Sequence, residues 1–511
     1  MSYSYYAGRK DYSFPSCLER RIPLAAITET YAKHAELYPE KVAIHTDNQL
    51  LSYYEWHELI CKTANWLDSI GDVNKRLAIF MPNSVPFLQL FAGASMAGWI
   101  AIPFDMKWKE EEIEKRLSLS QPSVLITTRD MHRHLNHLHP DVRIWDDCEE
   151  EMNQAAVVER GTLEGNTPFY MGFTSGTTGN PKAFIRSHES WVESFHCNRF
   201  DFHIDETDHV LIPGPFIFSH FLYGAISTLY LGGTVYVLEK FSPFQVLSFI
   251  HTYPITIVYL VPTMIEALRT YGHTTANEMK FISSGAKWEE NSKLAIRKLF
   301  PNMSMYEFYG ASELSFVSVL TDDQNNQKPG SVGKPCHNVE LQIRRADMST
   351  AEPNQVGKIY VRSNMLFTGY LDNDYQSIQP IRDENGWATV DDMGYLDEDG
   401  FLYISGREKN MILYGGINIF PEEIEKVISL HPDVDEVAVI GLEDRYWGQV
   451  AAAVIKGNAT KTDLRNLCRT KLSSYKIPRK WYFVDEMPHT TSGKIARAKL
   501  KESLEQEVKS H

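Results

Sequence analysis

The chain has 511 residues, 43% hydrophobic and 23% charged, which suits a globular protein large enough for two or more domains. Its 51 basic and 66 acidic residues leave a net charge of −15. That excludes a nucleic-acid backbone as partner, while a small nucleotide in a locally positive site remains compatible.

The six cysteines, Cys17, Cys61, Cys148, Cys197, Cys336 and Cys468, are scattered without a C-x-x-C pair. This argues against a disulfide framework or a zinc ribbon and for reduced, buried thiols in a cytoplasmic protein. The N-terminus, MSYSYYAGRKDYSF, lacks the apolar core of a signal peptide.

In chain order, VAIHTDNQLLSYYEW reads as a hairpin turning at Asp47-Asn48, and Ser52 opens a helix with Leu59, Ala64 and Leu67 on one side. Arg76–Phe80 is a short apolar strand, and a helix follows from Val85. The stretch Phe87–Phe104 carries no charge, but Gly93, Gly98 and Pro103 interrupt it. It reads as a buried helix ending near Gly98 and a strand Trp99–Ile102, rather than a membrane span. Strands at Ser123–Thr128, His209–Pro213, Thr234–Glu239, Ile255–Pro262 and Phe281–Gly285 continue the pattern, with an apolar helix over Phe221–Leu231. This β-α-β rhythm predicts an α/β fold of open sheets flanked by helices, with ligands where strands end. After Asn325, closely spaced turns such as KPGSVGKPC and DEDG predict a small β-rich subdomain over residues 326–407. A helix from Pro421, with two Glu in its first turn, opens a compact α+β tail. The expected division is therefore a large N-terminal domain, 1–407, and a small mobile C-terminal domain, 408–511.

The strongest local signal is FTSGTTGNPKAF, Phe173–Phe184. An apolar strand leads into Thr174, Ser175, Gly176, Thr177, Thr178 and Gly179, and then Lys182. Hydroxyls, accessible backbone N–H groups and one lysine suit a cradle for phosphate oxygens. It is not a Walker A loop, because Pro181 precedes the lysine and Ala183 follows it. Three further segments carry chemistry-bearing residues: YEFYGASE (Tyr306–Glu313), WATVDDMGYLDEDGFLYISGREKNMI (Trp387–Ile412) and MPHTTSGKIAR (Met487–Arg497). The run His132, His134, His137 and His139 has a spacing that can bind metal, but lacks a completing partner and reads as surface histidines.

Together these segments, in this order from about residue 25 to 500, resemble the signatures of the adenylate-forming enzymes. That family contains acyl- and aryl-CoA synthetases, luciferases and adenylation domains. The resemblance implies that Tyr309 stacks on adenine beside Gly310, that Ser312 contacts the α-phosphate and that Glu313 holds Mg²⁺. It also implies that Asp392 and Arg407 bind the ribose side, that Lys409 is the hinge, and that Lys494 bridges the attacking carboxylate and the α-phosphate. Ser284, Gly285 and Ala286 would lie along AMP and the acid, with His220 and Phe221 shaping the acid pocket. Where relatives often have glycine this chain has Asp391, which adds a charge beside the nucleotide. Physically the assignments agree: a hard cation takes a carboxylate beside phosphate, an aromatic face suits a purine, and a lysine suits charge developing on phosphorus.

The implied reaction joins a carboxylic acid to AMP, using ATP, and then passes the acyl group to a thiol after the C-terminal domain rotates. Coenzyme A is the expected acceptor: Trp447, Tyr475 and Arg479 match positions that contact it in relatives, although Ile477 stands where some have a basic residue. The apolar neighbours of His220 favour a medium- or long-chain fatty acid, with an aryl acid second. A stand-alone enzyme loading a separate carrier protein and a luciferase-like oxygenase are the rival readings. The assembly leaves room for a homodimer.

Overall fold

The computed structural model describes residues 26–509, except 72–73, 159, 176–180, 273–274, 286–287, 289, 373–376, 416 and 491–494. Among the described residues, two large sheets dominate the first 407 positions. One runs in the order Lys334–Pro335, Ser315–Thr321, Met303–Ala311, Met279–Ser283, Ile257–Leu260, His209–Ile212, Thr234–Val237, Val42–His45, Leu50–Ser52. The other runs Ile378–Gln379, Gly369–Leu371, Pro181–Ser187, Pro168–Ser175, Ile100–Pro103, Arg76–Phe80, Val124–Thr127, Val142–Ile144. Both have parallel centres joined through helices, as the alternating pattern predicts.

Local chemistry explains where the elements begin. Ser52 caps Tyr53–Ile70 with a reciprocal capping box to Glu55, and Gly71 ends that helix at φ 69°. Ser84 caps Val85–Met96, and Ser187 caps His188–Phe200. The charge-free stretch becomes this second helix and the strand Ile100–Pro103, one residue later than expected. Its 12-residue helix is buried nearly throughout, between the sheets, and Gln89 donates to Thr63 Oγ1 at 2.9 Å. No described helix is long and apolar enough to cross a membrane.

The main core lies between the two sheets and includes Trp56, Phe91, Trp99, Phe169 and Trp191. The turn-rich region contributes a four-stranded antiparallel sheet, Glu340–Arg344, Gly357–Arg362, Asp392–Leu396 and Leu402–Arg407. It is not self-contained: Lys334–Pro335, Gly369–Leu371 and Ile378–Gln379 leave it to edge the two large sheets. A single 3₁₀ turn, Glu408–Asn410, leads to a fourth sheet built on the long pair Val434–Asp444 and Gly448–Gly457, with its own core around Ile424, Val439 and Leu464.

Candidate active site

The phosphate-type segment is a hairpin. Pro168–Ser175 pairs antiparallel with Pro181–Ser187, and Thr174 lies opposite Lys182. Gly172 is required here: a Cβ would stand 2.3 Å from the Phe184 ring. Of the expected cradle, Gly176, Thr177, Thr178 and Gly179 lie outside the described residues, as do Ala286 and Lys494, and for Ser175 only the backbone is described.

Lys182 places Nζ 5.3 Å above the ring centroid of Tyr370. The Tyr370 phenol donates to Glu313 Oε1 in a short hydrogen bond. Glu313 is half-buried and follows the strand Met303–Ala311. That strand bulges between Tyr309 and Gly310. A side chain at 310 would strike Ser315 O at 2.1 Å, so the turn needs glycine. Arg186, unnoticed in the sequence, is buried and donates to Ser312 O at 2.9 Å and Met365 O at 3.1 Å. Burial pulls its pKa down to about 10.

Tyr309 donates its phenol to Asp392 Oδ2 at 2.6 Å, and Arg407 Nε contacts Asp392 Oδ1 at 2.9 Å. Asp392 and Arg407 are register partners on adjacent strands, so the sheet itself presents them together. Asp392 is buried, whereas Arg407 is exposed. Asp391 faces elsewhere: Lys358 bridges it at 3.2 Å and Glu408 at 2.6 Å. Its φ of 63° is a left-handed conformation, which accounts for glycine at this place in relatives. Burial raises both phenol pKa values; the charge of Glu313 adds to the rise at Tyr309 and that of Arg407 opposes it at Tyr370, so the two halves of the site act on each other.

His220 opens the helix Ser219–Leu231 and shares a hydrogen bond of 3.0 Å between Nε2 and Leu260 O. A carbonyl partner makes Nε2 the protonated nitrogen and leaves Nδ1, buried without a protein partner, as an acceptor. The ring sits 4.9, 5.2 and 5.6 Å from those of Phe221, Tyr259 and Phe308. Burial lowers its pKa to about 4, so the imidazole is neutral. Phe221 is a core residue whose ring covers Gly214. Ser284 Oγ donates to Phe308 O at 3.3 Å, and Gly285 is open at φ 92°. A cleft of about 80 Å³ beside Thr174 is lined by Trp108, Arg116, Phe173, Ile217 and Phe218.

In the C-terminal domain Trp447 stacks on Tyr414 at 4.4 Å and 11°, and the Arg479 guanidinium lies 5.0 and 5.3 Å from the two ring centroids. Tyr475 and Ile477 both pack on the C-terminal core, which suits an apolar residue where some relatives carry a basic one. Desolvation and the charge of Arg407 lower the pKa of Lys409, in the 3₁₀ turn.

In the histidine run, His132 bonds Val142 O, His137 bonds Glu110 and His139 bonds Pro122 O. The five described cysteines are buried and form no disulfide with one another. Cys197 and Cys336 nonetheless meet Asp201, with donor atoms within 4.8 Å of one another, a grouping invisible at their sequence spacing.

Glu313 suits magnesium. It is a partly accessible carboxylate, a hard oxygen donor, and Lys182, above the ring of its partner Tyr370, can meet phosphate.

Residues 31–371 match the model of the AMP-binding enzyme family, and 423–494 match the AMP-binding enzyme C-terminal domain. The chain is 48% identical over 482 residues to the uncharacterized acyl-CoA ligase YhfT of Bacillus subtilis strain 168, covering 94% of this chain and 99% of that one. It superposes with TM-score 0.84 on o-succinylbenzoate CoA synthetase (MenE) from Bacillus subtilis in complex with its acyl-adenylate intermediate OSB-AMP, at 27% identity and over 92% and 97% of the two chains. The same enzyme in complex with ATP and magnesium gives 0.83, at 27% identity and over 92% and 98%. A Mycobacterium tuberculosis fatty acyl CoA synthetase gives 0.75, at 27% identity and over 94% and 98%.

Proposed function

The chain belongs to the AMP-binding enzyme family, and from that premise we propose that it is an AMP-forming acid–CoA ligase acting on a medium- or long-chain fatty acid. It uses ATP with magnesium, and coenzyme A. The observation that carries the reading is the continuous polar face from Arg407 through Asp392 and Tyr309 to Glu313, Tyr370 and Lys182.

In the first half-reaction an acid oxygen attacks the α-phosphorus, and the bond to pyrophosphate breaks, leaving acyl-AMP. Asp392, oriented by Tyr309 and Arg407, accepts from the ribose hydroxyls. Lys182 and the hydroxyls of the 174–178 segment hold the departing phosphates. Glu313 would hold magnesium, which when bound would supply positive charge to the phosphate oxygens. Lys494 bridges the acid and the α-phosphate. In the second half-reaction the thiol of coenzyme A attacks the acyl carbon, the thiol proton is released and AMP leaves. The C-terminal domain pivots at Lys409 between the steps, exchanging Lys494 for a thiol channel beside Trp447, Tyr475 and Arg479.

The neutral His220 beside Phe308, and the Phe173, Trp108 and Ile217 side of the nearby cleft, which also carries Arg116 and Asp105, support an acid with a hydrophobic body. An aryl acid is the second reading, favoured by the ring-lined setting of His220 and by the MenE likeness. Pyrophosphate release measured over medium and long fatty acids, aryl acids and dicarboxylates decides between them. A preference for aliphatic dicarboxylates sinks both. Thioester formed with free coenzyme A and no carrier protein tests the acceptor. Lys494→Ala should abolish adenylation yet leave transfer from supplied acyl-AMP largely intact. Equal loss of both steps in folded protein would count against its role.

A further inference from the structure

We infer that Tyr370 is a positioning residue that holds one carboxylate oxygen of Glu313, so that the other is presented to magnesium-bound ATP. This rests on the proposed role of Glu313 as the metal ligand.

Two segments meet here, and each is fixed to the other at several points. Arg186 donates to Ser312 O and to Met365 O, one cation tying together the approaches to both residues. The Phe367 N–H donates to Glu313 O at 2.9 Å, which fixes the main chain of the carboxylate-bearing residue. Three residues later the Tyr370 phenol reaches Glu313 Oε1. The ring of Tyr370 is itself held, edge to face against Phe367 at 5.0 Å and 83°. Its strand, Gly369–Leu371, pairs with the strand that carries Lys182. On its other edge Gly369 permits close pairing with Ile378–Gln379, because a Cβ there would stand 2.3 Å from Gln379 O.

The consequence is chemical. A glutamate with two free oxygens rotates about its last bond and offers either one, and a lysine nearby competes for it. The phenol occupies Oε1, while the ring face takes up Lys182. Glu313 is left with a single oriented oxygen for a cation that demands strict geometry. The sequence motif at 306–313 contains no hint of this partner, which lies 57 residues away.

Calorimetry of ATP binding in the absence of acid tests the inference, with and without magnesium. The readout is the ratio of the two dissociation constants, metal-free over magnesium-bound. Tyr370→Phe keeps the ring, its contact with Phe367 and the face toward Lys182, and removes the hydroxyl, with its bond to Glu313 and its hydrogen bond with Thr174. The ratio should fall by roughly tenfold, the size expected for loss of an outer-shell partner. Affinity for metal-free ATP and the thermal midpoint should stay near those of the unmodified protein. An unchanged ratio overturns the inference. So does a parallel loss of metal-free ATP binding, which would mark Tyr370 as a packing residue. Glu313→Gln separates the two levels. If it collapses the ratio while Tyr370→Phe does not, Tyr370 alone is misassigned. If it leaves the ratio intact, the metal role of Glu313 fails, and this inference with it.

Discussion

The phenol of Tyr309 and the carboxylate of Asp392 are joined by a 2.6 Å hydrogen bond across 83 residues of sequence. Asp392 is buried and its second oxygen meets Arg407, so its charge is oriented before any nucleotide arrives. Asp392→Asn should weaken ATP binding by about ten- to a hundredfold, the range for a charge-assisted hydrogen bond. Tyr309→Phe keeps the ring face and should weaken it less than Tyr309→Ala. Calorimetric titration with ATP checks the order; equal losses in the two Tyr309 variants would remove stacking from the account.

Phe221 and Gly214 form a tight pair, since a Cβ on Gly214 would come within 2.2 Å of the ring. Phe221→Ala should cost about 3–5 kcal/mol of stability. Gly214→Ala should also destabilise, and the double variant should recover part of that loss. Denaturant midpoints test this. The same Phe221→Ala protein, assayed folded, tests pocket membership. A kcat/KM ratio shifted toward longer acids places the ring at the pocket wall, whereas a fixed ratio leaves it as core alone.

Lys293 is buried and forms a short ion pair with Glu307, while its Nζ also lies 2.7 Å from Asn325 Oδ1. Glu307 in turn accepts from the Trp288 backbone at 3.2 Å. Lys293→Met strands the carboxylate and should cost about 3–5 kcal/mol. The double variant Lys293→Met/Glu307→Gln should cost clearly less. Chemical denaturation of the three proteins decides, and additive losses would show that the pair is not coupled.

His188 is fully buried, accepts from Ile27 N–H at 3.2 Å and stacks on Phe169 at 4.8 Å. Burial lowers its pKa to about 3, against about 6.5 in the unfolded chain. The unfolded state therefore takes up the proton first. The stability contributed is complete above about pH 6.5 and drains as pH falls toward 3, with a slope near 1.4 kcal/mol per pH unit for one histidine. His220, with a pKa lowered to about 4, acts in the same direction. Denaturant midpoints between pH 7 and 4 should fall less steeply in His188→Gln than in the unmodified protein. Identical slopes would remove His188 from the acid response.

Much of this organisation is legible in the chain because strand and helix periodicities survive without tertiary information. Ser52 with Glu55 announces a helix start, and the runs at 76–80 and 257–260 announce buried strands. The recurring motifs bring Tyr309, Glu313, Asp392 and Arg407 to notice. The network behind them escapes. Arg186, Tyr370 and Lys293 look like ordinary polar residues, and only long-range packing reveals that each is enclosed by, or aimed at, a distant partner. Turn spacing marks residues 326–407 as β-rich, yet which sheet each strand joins depends on edge pairing that no local pattern encodes. Asp391 is similar: its left-handed backbone and its attachment to Lys358 arise from the sheet, and local composition suggests only an extra charge.

That attachment also bears on how the proposed pivot responds to its solution. Lys358 grips Asp391 and Glu408 together, and the Glu408 N–H donates to Asp391 O at 2.9 Å, so the backbone is moored one residue before Lys409. The backbone bond is indifferent to electrolyte, but both carboxylates are largely exposed to solvent, and ion pairs of that kind weaken as salt shortens the reach of charge. On the proposed pivot, low ionic strength should confine rotation to Lys409 and the residues C-terminal to it, whereas high ionic strength should slacken the mooring and let the bend spread back toward Asp391, so that the interval between the two half-reactions should vary with salt.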